Sequence, residues 1–171
     1  MGLFSKVVKA VTPVKLILRC AAVLLAIAAV ILFVAPFFTF TLVGESHSSG
    51  YELAFGLNNH DVVNGVLVAW ILILVGLVLL IGIICYSLLH LVKSNVGSGK
   101  LLVFVGIVVA SALILVGGIL CFFTVQYLGS TSFLGHTITG NDFGKLGIGA
   151  IIAGILAVVS GGCGLASVVL K

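Results

Sequence analysis

Apolar residues are collected into four long runs along the chain, and shorter polar segments separate them. The runs cover roughly residues 16–38, 62–91, 101–125 and 145–170. A helix needs about 20 mostly apolar residues to cross the hydrocarbon core of a bilayer, and each run is long enough. The pattern predicts four transmembrane helices. The first run also exceeds the apolar core of a signal peptide, about 7–15 residues, so we expect it to be retained as an anchor.

The composition agrees with an all-α membrane protein. Hydrophobic residues make up 62% of the 171 residues and charged residues only 7%, whereas about a quarter of a soluble domain is charged. We therefore predict a four-transmembrane-helix bundle over residues 14–171, preceded by a separate segment at residues 1–13.

Charge is divided between the two ends of the runs. All four acidic residues lie between the first and second runs or between the third and fourth, and seven of the eight Lys and Arg residues flank the opposite ends. Because Lys and Arg are retained on the cytoplasmic side, we predict that both termini are cytoplasmic. The acidic residues are Glu45, Glu52, Asp61 and Asp142, and the seven basic residues are Lys6, Lys9, Lys15, Arg19, Lys93, Lys100 and Lys171.

The net charge of +4 is spread beside apolar runs. Attraction to anionic lipid explains that placement better than binding of nucleic acid. The expected partners are therefore the lipid bilayer and other copies of the chain, with no nucleic acid.

The segment 1–13 has the spacing of an amphipathic helix that lies on the inner membrane surface. Its apolar residues recur on one side, and lysines take the other side. Pro13 then interrupts the helix before the first span. The alternative is a solvated positive flank. The membrane-surface residues are Leu3, Phe4, Lys6, Val7, Val8, Lys9 and Val11.

The two outer segments contain weak strand patterns. Residues 39–43 alternate and are rich in β-branched and aromatic side chains, and residues 126–144 have a similar composition. Short extracellular strands are therefore expected, and strands from the two segments are able to pair into a small sheet above the bundle.

The chain also shows signs of a duplicated hairpin, with one copy over about 14–93 and the other over about 100–171. At one constant offset, Phe37, Phe38 and Thr39 recur as Phe122, Phe123 and Thr124. At a second offset, Gly76 matches Gly154, Cys85 matches Cys163 and Lys93 matches Lys171. Two such copies would be parallel repeats related by an axis along the membrane normal.

Small residues recur along one side of the fourth run. Small side chains let helices approach closely in a membrane, so we expect this side to be a helix-packing surface. Packing within one protomer and packing between protomers are both open. The residues are Ala150, Ala153, Gly154, Ala157 and Gly161.

The runs offer little chemistry. Ionisable residues at the bilayer centre are usually functional, but Arg19 and His90 lie near cytoplasmic ends, where their side chains are expected to reach the interface. We therefore expect that the protein is not an enzyme and that it has no catalytic residue and no cofactor. The cysteines, all within apolar runs, are interpreted as packing residues: Cys20, Cys85, Cys121 and Cys163.

Three histidines share the outer segments with the acidic residues. They are His47, His60 and His136, and histidine with carboxylate side chains is able to bind zinc or to respond to pH. Their spacing fits no helix-face ligand pattern, so solvated loop residues are the expected outcome and no metal site is predicted.

The layout of four spans, cytoplasmic termini and a larger first outer loop resembles that of claudin-like and other tetraspan membrane proteins. The Gly-Leu-Trp motif and the paired loop cysteines of claudins are absent. An amphipathic helix before the first span is also similar to the plan of large-pore channels. No functional residue is carried over from these families. The lack of loop cysteines and of Asn-x-Ser/Thr sites favours a bacterial cell membrane.

Two functions are compatible with these features. The first is a non-enzymatic membrane protein that self-associates laterally and acts as an assembly or membrane-shaping scaffold. The alternative is an oligomeric pore with the amino-terminal helix near the pore. A pore should show a polar stripe along at least one span, and none is found, so the sequence favours the scaffold.

Overall fold

Four long helices form a bundle in which each runs antiparallel to its neighbours, with short strands and helices gathered at one end. The structure, a computed structural model, describes residues 13–40, 46–57, 62–92, 99–128, 130–133, 136–139 and 144–170. The long helices are α1 (Pro13–Ile31), α3 (Asn64–Val92), α4 (Gly99–Phe122) and α6 (Ile148–Val169). The short elements are a 3-10 turn (Leu32–Val34), α2 (Gly50–Phe55), α5 (Thr124–Tyr127), β1 (Pro36–Phe40), β2 (Ser46–Ser49), β3 (Ser130–Phe133), β4 (His136–Thr139) and β5 (Gly144–Leu146).

Each long helix forms most or all of a stretch that is long and apolar enough to cross a membrane. The four stretches are Val14–Val34, which includes the 3-10 turn after α1, Asn64–Ser87, Leu101–Phe122 and Ile148–Val169. The prediction of four helices with the length and apolarity of membrane spans is confirmed. The predicted membrane-surface helix, with Leu3, Phe4, Lys6, Val7, Val8, Lys9 and Val11, lies outside the described residues.

The four long helices are arranged as a ring. α3 packs extensively against α4, α4 against α6, and α6 against α1, while the α1–α3 interface is the least extensive of the four. Among the described residues, α1 faces α4 across the bundle and α3 faces α6. We call the end that carries β1–β5 the loop end, and the end where α1 begins and α6 finishes the terminal end.

Strands from both outer segments share one sheet at the loop end. β1 lies in the middle, with β2 and β5 antiparallel on its two sides. Phe37 and Phe38 of β1 are fully buried, so the strand follows the aromatic residues rather than beginning at Thr39 as the alternation predicted. β3 and β4 form a separate antiparallel pair. The sheet therefore ties the connection after α1 to the connection before α6.

The short helix α2 is held by capping groups at both ends. The Ser49 side chain accepts a hydrogen bond from the backbone N–H of Glu52 at 3.2 Å, and the Glu52 carboxylate accepts one from the backbone N–H of Ser49 at 2.7 Å. Gly56 ends the helix at φ 64°, a left-handed conformation that glycine adopts without a Cβ clash. These caps stabilise a helix too short to persist alone.

Candidate functional site

The small residues predicted on the fourth run lie on the buried face of α6. Ala150, Ala153 and Ala157 are fully buried, and Gly154 and Gly161 are buried with them. A methyl group added to Gly118 of α4 would lie 3.0 Å from the carbonyl oxygen of Gly154, and one added to Gly154 would lie 3.0 Å from that of Gly118. The two backbones therefore meet almost directly, and this surface packs within the chain.

The same face of α6 also packs against α1. The Ser160 hydroxyl donates a hydrogen bond to the backbone carbonyl of Ala22 at 2.6 Å. Ala22, Ala26 and Ala29, all fully buried, form the matching side of α1. α6 is thus held between two neighbours by small residues, and its predicted packing surface is fully used.

Adjacent glycines let α4 approach both of its neighbours. Gly118 faces α6, whereas a methyl group on Gly117 would lie 2.9 Å from the Ala69 carbonyl oxygen of α3. Consecutive helix residues point about 100° apart, which matches the right-angled corner that α4 occupies in the ring. The α4 backbone therefore makes a close contact with the backbone of each of its two neighbours, α6 at Gly118 and α3 at Gly117.

Two glycines of the spans face outward instead. Positions Gly82 of α3 and Gly162 of α6 have no heavy atom within 4 Å of the place where a Cβ would stand. Both residues are exposed. Glycine lowers helix stability relative to alanine, and nothing in the described part of the chain compensates at these two positions.

The interior of the bundle is apolar with a few hydroxyl and thiol groups. Fully buried Ile73, Leu80, Ile107 and Ile114 fill it between α3 and α4. The buried hydroxyl oxygen of Ser111 has no hydrogen-bond partner and occupies the space that a side chain at Gly164 would need. Side chains therefore fill the centre of the described bundle, leaving Ser111 as an isolated polar group within it.

Arg19 is half-buried within the described bundle. Its Nε atom is buried without a hydrogen-bond partner, and the expectation that its side chain reaches the membrane interface stays a prediction. Arg19 stands three residues before Ala22, on the buried side of α1. The signal was present in the sequence, because Arg19, Ala22, Ala26 and Ala29 follow helical spacing.

The cysteines occupy different environments within the spans. Cys121 is buried, and its thiol donates to the Gly117 carbonyl at 3.4 Å, while Cys163 is partly buried and Cys20 and Cys85 are exposed. Only Cys121 therefore has the fully buried environment expected of a packing residue.

The histidines of the outer segments do not converge. His47 of β2 shares a hydrogen bond of 3.2 Å with the hydroxyl of Thr39, His136 begins β4, and His60 lies outside the described residues. Within the described ranges, no three His, Cys, Asp or Glu residues come together as a metal site would require.

An aromatic cluster covers the loop end between α1 and α3. The rings of Phe33 and Phe37 are 4.5 Å apart, and Trp70 lies 6.1 Å from Tyr51 and 5.1 Å from Phe55. These rings close the loop end of the bundle, and sequence reasoning did not identify them as a group.

A hydrogen bond joins this cluster to α1. The Tyr51 hydroxyl donates to the Val30 carbonyl at 3.3 Å, an oxygen near the end of α1 where the helix tightens into a 3-10 turn. On the neighbouring α5, desolvation and then the nearby Cys121 thiol raise the pKa of Tyr127.

The positions matched in the two proposed hairpin copies differ in local structure. Phe37 and Phe38 are buried in a strand, whereas Phe122 ends α4 and Phe123 lies in a turn, both exposed. Gly76 and Gly154 are both buried against α4. Gly76, however, meets α4 of the other proposed hairpin, whereas Gly154 meets α4 of its own, so the two contacts are not equivalent in a repeat.

Comparisons with known proteins return no relative. No protein-family model, curated protein or solved structure matches this chain.

Proposed function

We propose that the protein is a non-enzymatic integral membrane protein that self-associates laterally and acts as an assembly or membrane-shaping scaffold. The observation that supports this most directly is the outward placement of Gly82 and Gly162. A glycine on a lipid-facing surface provides a flat area where the helix of another protomer packs closely.

The positions of these glycines favour extended assemblies. α3 and α6 occupy opposite corners of the ring, so Gly82 and Gly162 lie on different sides of the bundle. If each side contacts a further copy, the association is able to continue from protomer to protomer rather than close at a dimer. Rows or rings of protomers suit a scaffold.

The bundle interior supports the same choice. A pore through one protomer would have to displace the fully buried side chains of Ile73, Ile107 and Ile114. A conducting path, as in the alternative function, would therefore have to lie between protomers. No observation on the described surfaces favours such a path.

The proposal also includes the orientation of the chain and the role of the amino-terminal segment 1–13. From the charge division we propose that both termini lie in the cytoplasm, with the segment 1–13 on the inner surface of a bacterial cell membrane. We propose that its apolar residues, with Phe4 and Val8 among them, insert into the inner leaflet and take part in assembly.

The hairpin repeat remains our prediction for the origin of the bundle. Its support is the pair of constant offsets in the sequence, at which Gly76 matches Gly154 and Cys85 matches Cys163. The differing structures at the loop end would then reflect divergence of the connections after duplication.

Leucine substitutions on the outward faces test self-association. Gly82→Leu and Gly162→Leu add bulk where protomers are proposed to meet, so the particle extracted in mild detergent should be smaller than that of the unchanged protein. Light scattering with detergent correction measures the mass. Ala112→Leu, on an exposed position of α4, is the matched control and should leave the mass unchanged.

The same measurement of particle mass tests whether the predicted amino-terminal helix of segment 1–13 contributes to self-association. The double change Phe4→Asp and Val8→Asp removes apolar burial worth about 1.5–3 kcal/mol per large side chain, so the particle should also become smaller. A monomeric mass for the unchanged protein would refute self-association. Channel conductance in planar bilayers that the glycine variants abolish would favour the pore instead.

A further inference from the structure

Two cations occupy successive turns on one side of α1. Lys15 and Arg19 are four residues apart, and both side chains are half-buried. Like charges at this spacing destabilise a helix, and the Nε atom of Arg19 is buried without a hydrogen-bond partner. The pair is therefore electrostatically unfavourable unless an anion joins it.

Arg19 lies on the side of α1 that faces α3. At 3.6 residues per turn, Arg19 is rotated by about 60° from Ala22, and Val30 by about 80° in the same direction. Ala22 faces α6 through its bond with Ser160. The Val30 carbonyl is bonded to Tyr51, whose ring packs on Trp70 of α3.

The interface between α1 and α3 is the least extensive of the four in the ring. Tyr51 and Trp70 fill it near the loop end. Arg19 stands in its other half, five residues beyond the start of the span at Val14, a rise of about 8 Å. A group entering from the leaflet at the terminal end would meet Lys15 first and Arg19 next.

Among the described residues, no acidic side chain lies in the terminal half of the bundle. None of the four membrane spans contains an Asp or Glu, and all four acidic residues of the sequence belong to the segments that connect α1 to α3 and α4 to α6. Burying an unpaired charge is costly. An anion from outside the chain would therefore stabilise this pair.

We propose that the terminal half of the α1–α3 interface binds the phosphate of an anionic phospholipid. The guanidinium group of Arg19 donates hydrogen bonds to phosphate oxygens, and the ammonium group of Lys15 supplies the second positive charge nearer the surface. The lipid comes from the leaflet at the terminal end, where its phosphate already lies at the depth that an arginine side chain reaches. Basic pockets between helices bind such headgroups in other membrane proteins. This site is independent of self-association.

Native mass spectrometry of the full-length protein in detergent tests the site. Dioleoylphosphatidylglycerol is titrated into the unchanged protein and into Arg19→Gln, with dioleoylphosphatidylcholine as the neutral lipid. The anionic lipid should bind more tightly than the neutral one, and Arg19→Gln should weaken it by about fivefold, the effect of one basic residue near a membrane surface. Lys145→Gln, an equal charge change at an exposed position of β5, should bind as the unchanged protein does.

A second variant guards against loss of folding. Lys15→Gln lies nearer the helix start and should weaken binding to a similar extent, and the double variant should weaken it further. Equal affinities for the two lipids, or equal weakening by Lys145→Gln and Arg19→Gln, would overturn the proposal. Displacement of the lipid by millimolar inorganic phosphate would overturn the lipid as occupant and identify a site for a free anion.

Discussion

The two helices that flank α4 are held in different ways. The buried residues of α6 are all Gly, Ala or Ser, and its backbone meets that of α4 at Gly118 and Gly154. The buried side of α3 instead carries large side chains, Ile73 and Leu80 among them. Both neighbours approach the α4 backbone closely at glycines, but the α6 side is made of small residues alone, whereas the α3 side adds large interdigitating side chains.

This difference reflects the absence of a hydrophobic driving force between helices in lipid. Apolar side chains gain little by leaving acyl chains, so association depends on van der Waals contact and a few hydrogen bonds. Where small residues face a neighbouring helix, the backbones themselves are in contact, and no room is left for added bulk. Where large side chains face it, those side chains are able to adjust, so substitutions on the α3 side should lower stability less.

The largest effect is expected at the contact of the two backbones. Gly118→Leu places a side chain where a Cβ alone would already lie 2.8 Å from the Ala157 Cβ and 3.0 Å from the Gly154 carbonyl oxygen. Because neither backbone is able to move aside without separating the helices, we expect destabilisation of about 3 kcal/mol or loss of folding. Unfolding by sodium dodecyl sulfate in mixed micelles measures it.

Ala112→Leu is the control for this experiment, since it adds the same bulk to an exposed position of the same helix. Its unfolding midpoint should match that of the unchanged protein. Equal midpoints for the Gly118 and Ala112 variants would show that α4 and α6 do not meet at this point.

A smaller loss is expected from a cavity on the α3 side. Ile73 is fully buried, and its Cγ1 atom lies 2.7 Å from where a Cβ on Gly117 would stand. Ile73→Ala removes the packing of this side chain over Gly117 and should lower the free energy of unfolding by about 2 kcal/mol. Ile71→Ala, at a position that is 43% exposed, should cost far less in the same unfolding titration.

The comparison between the two sides of α4 depends on Gly118→Leu losing more stability than Ile73→Ala. If Ile73→Ala is as damaging as Gly118→Leu, the two sides of α4 are equally intolerant and the distinction between them fails. If Ile71→Ala matches Ile73→Ala, the assigned inward face of α3 is wrong.

The smallest effect is expected from loss of the Ser160 hydroxyl, which bonds α6 to α1. Ser160→Ala removes the bond of 2.6 Å to the Ala22 carbonyl, and hydrogen bonds between membrane helices contribute about 0.6 kcal/mol on average. Ser167→Ala is the matched control, because its hydroxyl bonds to Gly164 of the same helix at 2.7 Å. A larger loss for the Ser167 variant would contradict the role of Ser160 between helices.

The sequence predicted the spans because their length and apolarity depend only on the bilayer. The long runs and the four membrane-spanning stretches coincide within a few residues. Strands in the outer segments were also predicted, although β1 begins at Pro36 rather than Thr39. Phe37 and Phe38 were placed inside the first span because aromatic residues fit both a membrane helix and a buried strand.

Arg19 shows what a linear pattern leaves undecided. Its distance from the end of the run predicts a side chain that reaches the interface, but says nothing about which neighbouring helix that side chain lies against. Its direction depends on where α3 and α6 stand around α1, which no local pattern records. The same holds for Gly82 and Gly118, which are identical in the sequence but face open space and a neighbouring backbone.

The sequence by itself therefore determined that four helices are long and apolar enough to cross a membrane, which segments connect them at each end, and which side of α6 carries small residues. These properties follow from hydropathy and helical periodicity, both of which are local. The tertiary structure decided which helices are neighbours, that β1 pairs with β5, and that the small residues of α6 contact α1 and α4 of the same chain. Each of these depends on contacts between residues far apart in sequence, where many pairings of apolar helices have similar energies until the close fit of glycine, alanine and serine selects one.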